Sequence, residues 1–166
     1  MIVLVGFMGA GKTTVGHLLA EKLGLAFLDS DLVIEQRERR SIRDIFGTDG
    51  EPAFREIEHA VIASLLEGPD VVLALGGGAA EHPGTQVLLA SVPVVYLHVG
   101  YAEAMARVGG DAGRPMLSRP DVEQLYARRL AVYRSVAAVT VTTGARAPED
   151  VVTEIIQWRL KAEAAT

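Results

Sequence analysis

The sequence contains no cysteine, and this absence excludes disulfide bonds, thiolate metal ligands and a cysteine nucleophile. No apolar run approaches the roughly 18 residues that would predict a membrane-spanning helix. The apolar run at residues 2–5 is too short for the hydrophobic region of a secretory signal, and no basic region precedes it. These absences predict a cytoplasmic protein without a membrane partner.

An excess of positive charge is also missing, since the net charge is −5 at pH 7. This balance argues against a nucleic-acid partner, although it leaves room for a local basic pocket that binds an anion. Lysine is scarce: Lys12, Lys22 and Lys161 are the only lysines, and the other basic residues are arginines. Genomic codon bias is the simple explanation for this scarcity. Even so, because lysine is rare in this chain, a lysine inside a glycine-rich loop is less easily explained by chance.

The overall composition is that of an ordinary globular protein. Hydrophobic residues make up 49% of the 166 residues, and charged residues make up 22%. This length predicts one domain over residues 1–166, and such a chain can bury a core without disulfides or metals. Nothing in the sequence indicates oligomerisation, so we expect a monomer.

A glycine-rich segment near the N-terminus carries the clearest motif. Residues 6–13, Gly-Phe-Met-Gly-Ala-Gly-Lys-Thr, fit the pattern G-x-x-x-x-G-K-[ST] between a predicted strand and a predicted helix. Glycines let backbone N–H groups surround a phosphate, and the following helix directs its positive dipole end at the anion. Lys12 can neutralise the β- and γ-phosphates, and the Thr13 hydroxyl can bind Mg²⁺. A glycine turn that only caps a helix is the alternative, but the flanking elements favour a nucleotide site.

Short apolar segments alternate with amphipathic helical patterns along the chain. This alternation predicts an α/β protein of three layers (α/β/α), in which helices cover both faces of a central five-stranded parallel sheet. The predicted strands are residues 2–5, 26–28, 71–75, 94–99 and 138–143, the last one an edge strand. The predicted helices are residues 12–23, 32–39, 41–47, a longer helix opened by Pro52, 103–108, 121–136 and a last helix opened by Pro148. Residues 109–120 predict a mobile loop, and the tail after residue 160 is expected to fray.

Three predicted strand ends carry chemically notable residues. They are the glycine loop at 6–13, Asp29 with Asp31, and the triplet Gly76, Gly77 and Gly78. Because ligands of parallel sheets bind at the carboxyl ends of the strands, we expect these segments to converge on one edge. The triplet predicts backbone N–H groups open to a ligand, with a plain strand-to-loop turn as the alternative.

Arg129 lies on the apolar face of the helix predicted at 121–136. It follows Leu125 by four residues and precedes Tyr133 by four, which places all three on one face. A buried guanidinium without an anionic partner is strongly unfavourable. A bound carboxylate would suit its bidentate geometry, and an internal Asp or Glu is the other candidate partner.

Five further segments follow the glycine loop in a characteristic order. With the loop, they make the chain resemble the shikimate kinase family from Ile2 to about Leu160. The resemblance implies a P-loop kinase fold with a mobile lid at about 109–120. It also implies transfer of the γ-phosphoryl group of ATP to the 3-hydroxyl of shikimate, on the way to chorismate and the aromatic amino acids. The five segments are Leu28-Asp29-Ser30-Asp31, Ser41-Ile42-Arg43-Asp44-Ile45-Phe46, Glu51-Pro52-Ala53-Phe54-Arg55-Glu56-Ile57-Glu58, Gly76-Gly77-Gly78 and Gly113-Arg114-Pro115-Met116-Leu117.

The same resemblance implies an acceptor site for shikimate. Asp31 matches an aspartate that contacts the substrate hydroxyls and is a candidate general base. Arg55 and Arg129 match arginines that bind the substrate carboxylate. Asp29 matches an aspartate near Mg²⁺, held through water. The segment Gly76, Gly77 and Gly78 matches a substrate-contacting turn with Gly77 at its centre.

Some of these residues also have structural interpretations. Asp31 is placed to cap a helix starting at Leu32, although capping explains one aspartate and not two. Arg55 is placed to form an i,i+4 ion pair with Glu51 on an exposed helix face. For Arg55, only the resemblance favours the functional role.

On the nucleotide side, the resemblance implies a set of ATP-binding residues. Lys12 and Arg114 are expected to be catalytic, with Arg114 reaching the phosphates when the lid closes. Thr13 would bind Mg²⁺ directly. The predicted ATP-binding residues are Gly9, Ala10, Gly11, Lys12, Thr13, Thr14, Arg107, Arg114 and Arg146.

Two departures and two rival functions are part of the prediction. The strand at 71–75 lacks the terminal aspartate of an ordinary Walker B motif, an absence that shikimate kinases share, and the lid is shorter than in some relatives. A kinase for another hydroxy acid, such as gluconate, would keep the glycine loop with a different acceptor pocket. A nucleotide-binding switch would bind ATP without phosphorylating a small molecule.

Overall fold

The computed structural model describes residues 1–109 and 120–165 of the chain. Within these ranges five β-strands alternate with α-helices, and a short 3-10 helix covers Ala79–Glu81. The strands are β1 (Ile2–Val5), β2 (Ala26–Asp29), β3 (Val71–Ala74), β4 (Val94–His98) and β5 (Val139–Thr142). The helices are α1 (Lys12–Leu23), α2 (Ser30–Glu38), α3 (Ile42–Leu66), α4 (Pro83–Leu89), α5 (Tyr101–Val108), α6 (Val122–Val136) and α7 (Pro148–Ala164). None of these helices combines the length and the hydropathy that a membrane span requires.

The five strands form one parallel sheet in the order β2-β3-β1-β4-β5. This arrangement confirms the predicted fold class. β1 lies at the centre with all four residues buried, and Val3 pairs with Leu73 of β3 on one side and with Val94 of β4 on the other. β2, β3 and β1 are neighbours, so the three strand ends that carry the predicted site residues lie side by side.

In the described part of the chain, the buried hydrophobic side chains form two clusters. The larger one fills the space between the sheet and its covering helices and includes β1, β3 and β4 together with Leu19 of α1 and Ile155 of α7. The smaller one lies between α2 and α3 and contains Ile34, Ile45 and Phe54. The smaller cluster fixes α2 and α3 beside the carboxyl end of β2, where the acceptor residues are expected.

Two regions differ from the sequence prediction. The helices expected at 41–47 and after Pro52 are one element, α3, which is interrupted at Gly50 by a backbone of φ 84° and ψ 167°. Gly50 tolerates this conformation because it has no Cβ, and Pro52 has no N–H to donate across the break. The 3-10 helix and α4 were not predicted, although Pro83 at the first turn of α4 is a typical start signal.

Candidate active site

The glycine loop connects β1 to α1 and turns on Gly9 and Gly11, whose backbones are left-handed. Gly9 has a φ of 77° and Gly11, which caps α1, has a φ of 87°. A Cβ on Gly9 would lie 2.9 Å from the carbonyl oxygen of Ala104, whereas a Cβ on Gly11 would meet no atom of the described residues within 4 Å. The backbone at Gly11 therefore faces open space at the positive end of the α1 dipole, as a phosphate site requires.

Lys12 folds back over the loop from the first turn of α1. Its Nζ donates to the carbonyl oxygens of Gly6, at 2.7 Å, and Phe7, at 3.2 Å. Its positive charge also acts on Asp31. Burial and the charge of Asp29 raise the pKa of Asp31, and Lys12 lowers it by a smaller amount. Lys12 thus lies between the nucleotide side and the acceptor side of the site.

A cavity of about 510 Å³ opens over the glycine loop. This volume lies within the usual range of small-molecule sites, which is roughly 300–1,000 Å³. All of the predicted ATP-binding residues within the described chain line it. The lining consists of Met8, Gly9, Ala10, Gly11, Lys12, Thr13, Thr14, Arg107, Val108, Thr143, Arg146, Pro148 and Val151.

Two arginines line this cavity together with the glycine loop. Arg107 donates to the carbonyl oxygen of Gly9, at 2.9 Å, and to that of Gly144, so it ties the glycine loop to the loop after β5. Arg146 donates to Glu154 Oε2 at 2.6 Å and to the carbonyl oxygen of Thr142 at 3.1 Å. Both side chains are exposed enough to contact a bound base or phosphate.

The end of β2 places Asp29, Ser30 and Asp31 beside the end of β3. Asp29 is the N-cap of α2, since its Oδ1 accepts from the backbone N–H of Asp31 at 2.9 Å and of Leu32 at 3.4 Å. This corrects the capping interpretation of Asp31: α2 begins at Ser30, so the cap falls two residues earlier. Ser30 is fully buried, and its Oγ accepts from Gly76 N at 3.0 Å, which ties the two strand ends together.

The glycine triplet after β3 touches each of the predicted acceptor side chains. A Cβ on Gly76 would overlap Asp31 Oδ1 and lie 3.0 Å from Glu58 Oε1, and a Cβ on Gly78 would lie 2.6 Å from Arg55 Cζ. A Cβ on Gly77 would lie 3.2 Å from Arg129 Nη1. The structure therefore brings Asp31, Arg55 and Arg129 together around the triplet.

Two carboxyl groups in this cluster have a raised pKa. Burial raises the pKa of Asp31 from 3.8 to about 6, and the charge of Asp29 adds to the rise. Burial likewise raises the pKa of Glu58 from 4.5 to about 7, although the Arg55 guanidinium beside it acts in the opposite direction. Desolvation thus outweighs the neighbouring positive charges at both positions.

Arg55 is held by two carboxylates of its own helix. Its Nη1 lies 2.7 Å from Glu58 Oε2, and its Nη2 lies 3.1 Å from Glu51 Oε1. Its Cζ also lies 5.2 Å from the ring centroid of Phe54. The predicted pair with Glu51 is therefore present, but the guanidinium is mostly covered and lies against Gly78 rather than on an exposed face.

Arg129 is buried on α6, as its position on the apolar face predicted. Its Nε lies 2.8 Å from Glu81 Oε2, so the internal carboxylate that the sequence left open as a partner exists. One turn later on the same helix, the Tyr133 hydroxyl donates to the carbonyl oxygen of Gly77 at 2.5 Å. Burial raises the pKa of that hydroxyl and keeps it protonated as a donor.

Sequence reasoning missed Glu58 and Glu81 as members of this cluster. Glu58 had a detectable signal, because it lies four residues after Phe54 and four before Ile62 on the buried face of α3. Glu81 had none, because the 3-10 helix that carries it was not predicted. Arg114 and most of the predicted lid lie outside the described residues.

A parallel α/β sheet, a phosphate loop after the central strand and a charged pocket beside it define a P-loop phosphotransferase. A family model described as "Shikimate kinase" matches residues 8–159. The chain is 48% identical over 158 residues to a shikimate kinase of Mycobacterium tuberculosis (strain ATCC 25177 / H37Ra), which covers 93% of this chain and 90% of the relative. The chain belongs to the shikimate kinase family.

Solved structures agree with this assignment. A shikimate kinase from Acinetobacter baumannii in complex with shikimate has a TM-score of 0.89 and 40% identity, over 97% of this chain and 93% of that one. A shikimate kinase from Aquifex aeolicus has a TM-score of 0.86 and 34% identity, over 98% of this chain and 97% of that one.

Proposed function

We propose that this protein transfers the γ-phosphoryl group of ATP to the 3-hydroxyl of shikimate, giving shikimate 3-phosphate and ADP. The observation that carries the proposal is the convergence of Asp31, Arg55 and Arg129 on the glycine triplet, directly beside the phosphate loop. A hydroxylated carboxylic acid fits this pocket chemically, because it offers an anion to the arginines and hydroxyls to the aspartate. Membership of the shikimate kinase family and the shikimate complex of the A. baumannii relative favour shikimate as that acid.

On the nucleotide side, the N–H groups at the start of α1 and the Lys12 ammonium would hold the β- and γ-phosphates. Lys12 would then exchange its hydrogen bonds with the Gly6 and Phe7 carbonyls for bonds to phosphate oxygens. Arg107 and Arg146, which line the cavity, would flank the base. Arg114 stays a sequence prediction for the phosphates.

The donor set fits Mg²⁺ held mainly by the nucleotide. Among the described residues no three acidic or histidine side chains form a metal cluster, but the Thr13 hydroxyl is exposed at the phosphate loop. Mg²⁺ prefers oxygen ligands and often retains several waters while it binds substrate phosphates. When bound, it would neutralise charge on the transferring phosphoryl group. Thr13 would bind it directly, and Asp29, which also caps α2, would reach it through water.

On the acceptor side, Arg55 and Arg129 would bind the substrate carboxylate. Asp31 would accept a hydrogen bond from the reacting hydroxyl, orient it and take its proton as the phosphoryl group arrives. A carboxylate with a pKa of about 6 is a stronger base than an ordinary aspartate and is still mostly ionised near pH 7.

The proposal is tested by measuring ADP formation with purified protein, MgATP and either shikimate or gluconate. We expect ADP formation that depends on shikimate, that Lys12→Ala abolishes and that Lys22→Ala at the other end of α1 retains. Turnover with gluconate and not with shikimate would replace the acceptor. ATP binding without acid-dependent ADP release would indicate a nucleotide switch instead.

A further inference from the structure

Glu81 is a charged residue near the proposed acceptor pocket to which the reaction assigns no role. It ends the 3-10 helix that follows the glycine triplet, and its backbone N–H donates to the carbonyl oxygen of Gly78 at 3.0 Å. Ala79 and Ala80, between the triplet and Glu81, are fully buried. The carboxylate is therefore carried on a short, packed segment whose position is fixed relative to the triplet.

The Glu81 carboxylate lies between two consecutive arginines of α6. Its Oε2 accepts from Arg129 Nε at 2.8 Å, and its Oε1 accepts from Arg128 Nε at 3.1 Å. The Arg129 side chain is only 5% exposed, Glu81 is 24% exposed, and Arg128 is 58% exposed. The bond to Arg129 is thus shielded from water, whereas the bond to Arg128 lies at the surface and contributes less.

The geometry of the Arg129 guanidinium separates its two edges. Glu81 binds the Nε, while Nη1 lies against Gly77, 3.2 Å from the position of a Cβ there. Arg55 differs, because Glu58 and Glu51 bind both of its Nη atoms. Through its Nε bond, Glu81 fixes the rotation of a planar group whose Nη edge faces the triplet.

We infer that Glu81 is a positioning residue, which orients the Arg129 guanidinium so that its Nη edge meets the carboxylate of the acceptor. This role rests on the proposed kinase function. Without Glu81, the Arg129 guanidinium would lose its orienting bond. It would then be attracted by the Glu58 carboxylate, whose pKa the charge of Arg129 already lowers. Although partial burial acts in the other direction, Arg129 lowers the pKa of Glu81, so the carboxylate stays ionised at neutral pH.

The test compares Glu81→Leu, which removes the acceptor, with Glu81→Gln, whose amide oxygen still accepts from Nε. With shikimate varied at saturating MgATP, we expect Glu81→Leu to raise the shikimate KM by about tenfold to a hundredfold, the range seen for supporting bonds in metal sites. Glu81→Gln should stay within about threefold of the wild type, and kcat and the ATP KM should hardly change in either variant. If the leucine variant does not fold, Glu81→Thr, whose side chain is too short to reach Nε, replaces it.

A double-mutant cycle separates this role from a purely structural one. In an Arg129→Ala background, Glu81→Leu should have no further effect on the shikimate KM, because the group it orients is gone. Glu163→Leu, which breaks a more exposed pair of the same 2.8 Å length with Arg159 on α7, outside both pockets, is the control and should leave the KM unchanged.

Three results would overturn the inference: an unchanged or lower KM in Glu81→Leu, an equal rise in the Arg129→Ala background, or an equal rise in Glu163→Leu. A wild-type protein without shikimate-dependent ADP formation would instead overturn the proposed function, and the positioning role with it.

Discussion

Glu58 is buried and Asp31 is half-buried, and both carboxyl groups lie near basic side chains, yet both have a raised pKa. The cause is that burial removes the water that stabilises the ionised form, and the neighbouring cations compensate only in part. The charges of Lys12 and Arg55 at Asp31, and of Arg55 and Arg129 at Glu58, oppose this rise in pKa and so keep the ionised forms accessible near neutral pH. A partly desolvated, ionised carboxylate is a useful proton acceptor, which is the state that the proposed reaction needs at Asp31.

The pKa of Asp31 predicts an acid limb in the activity. As pH falls through about 6, Asp31 becomes protonated and can no longer accept the hydroxyl proton, so kcat/KM for shikimate should fall about tenfold per pH unit below that point. Steady-state kinetics between pH 5 and pH 8 would measure this limb. The residual activity of Asp31→Asn is the control, because a limb at the same pH in that variant would assign it to another group, such as Glu58 or the nucleotide, and contradict the role of Asp31.

The same shift predicts a stability effect. The pKa of Asp31 is about 6 in the folded state and 3.8 by default in the unfolded state, so the folded state binds the proton more tightly. The free energy of unfolding therefore falls as pH rises from 3.8 to about 6. At pH 7 the ionised group disfavours the ligand-free fold by up to about 3 kcal/mol. We expect Asp31→Asn to raise the free energy of unfolding at pH 7 by about 1–3 kcal/mol and to lose this gain near pH 4. Urea unfolding at both pH values measures it, and a destabilised variant at pH 7 would contradict the shift.

At the scale of elements, the turn after β3 shows why glycine recurs there. None of Gly76, Gly77 and Gly78 has a positive φ, so backbone conformation does not demand glycine. Glycine is needed there for lack of space, because the missing Cβ of each residue makes room for the end of a different charged side chain. The side chains of Asp31, Arg55 and Arg129 therefore pack directly against the backbone of this turn.

Gly78→Ala should consequently weaken substrate binding more than it weakens the fold. The added methyl would lie 2.6 Å from Arg55 Cζ, at the flexible end of a side chain that can move away. We expect a rise in the shikimate KM of roughly tenfold and a loss of stability below about 1.5 kcal/mol. Gly47→Ala in α3, where a Cβ meets open space, is the control and should stabilise the helix by roughly 0.5–1 kcal/mol without changing the KM. An unchanged KM in Gly78→Ala would show that Arg55 does not need its present position.

At the scale of the whole molecule, the strand order decides which loops meet. The sheet order β2-β3-β1 places the aspartates after β2, the triplet after β3 and the phosphate loop after β1 next to one another. β4 and β5 lie on the other side of β1, and the loop after β5 completes the nucleotide cavity with Thr143 and Arg146. The phosphate loop therefore lies between the proposed nucleotide site on one side and the proposed acceptor site on the other.

This division predicts that each ligand stabilises the fold through its own residues. A ligand at one hundred times its Kd adds about 2.7 kcal/mol to the free energy of unfolding. Shikimate should therefore raise the Tm of the wild type, whereas Arg129→Ala should lose most of that rise and keep the rise given by a non-hydrolysable MgATP analogue. Arg128→Ala, which removes the mostly exposed neighbour, should retain both rises. If Arg129→Ala kept its full response to shikimate, the carboxylate role of Arg129 would be wrong.

Local signals in the sequence were enough for most of the secondary structure. The bounds of α1 were predicted correctly, because a glycine lies just outside each end of the helix. Both glycines, Gly11 and Gly24, have a left-handed backbone in the structure. The strands were found as apolar runs, and the burial of Arg129 followed from its spacing to Leu125 and Tyr133. The second helix was predicted to begin two residues late, because residues 29–31 were assigned to the end of the strand, whereas Asp29 is the cap. α4 was missed altogether, since its seven residues show little periodicity.

The sequence by itself determined the nucleotide loop, the parallel α/β class and the identity of the charged groups, because these depend on local patterns and residue types. Only the tertiary structure decided which groups face one another. The contacts of Glu81 with Arg129 and of Asp31 with Gly76 join residues about fifty positions apart, and strand order and helix packing create them. The raised pKa of Asp31 was equally beyond the sequence, because desolvation depends on how much of the chain folds over a carboxyl group.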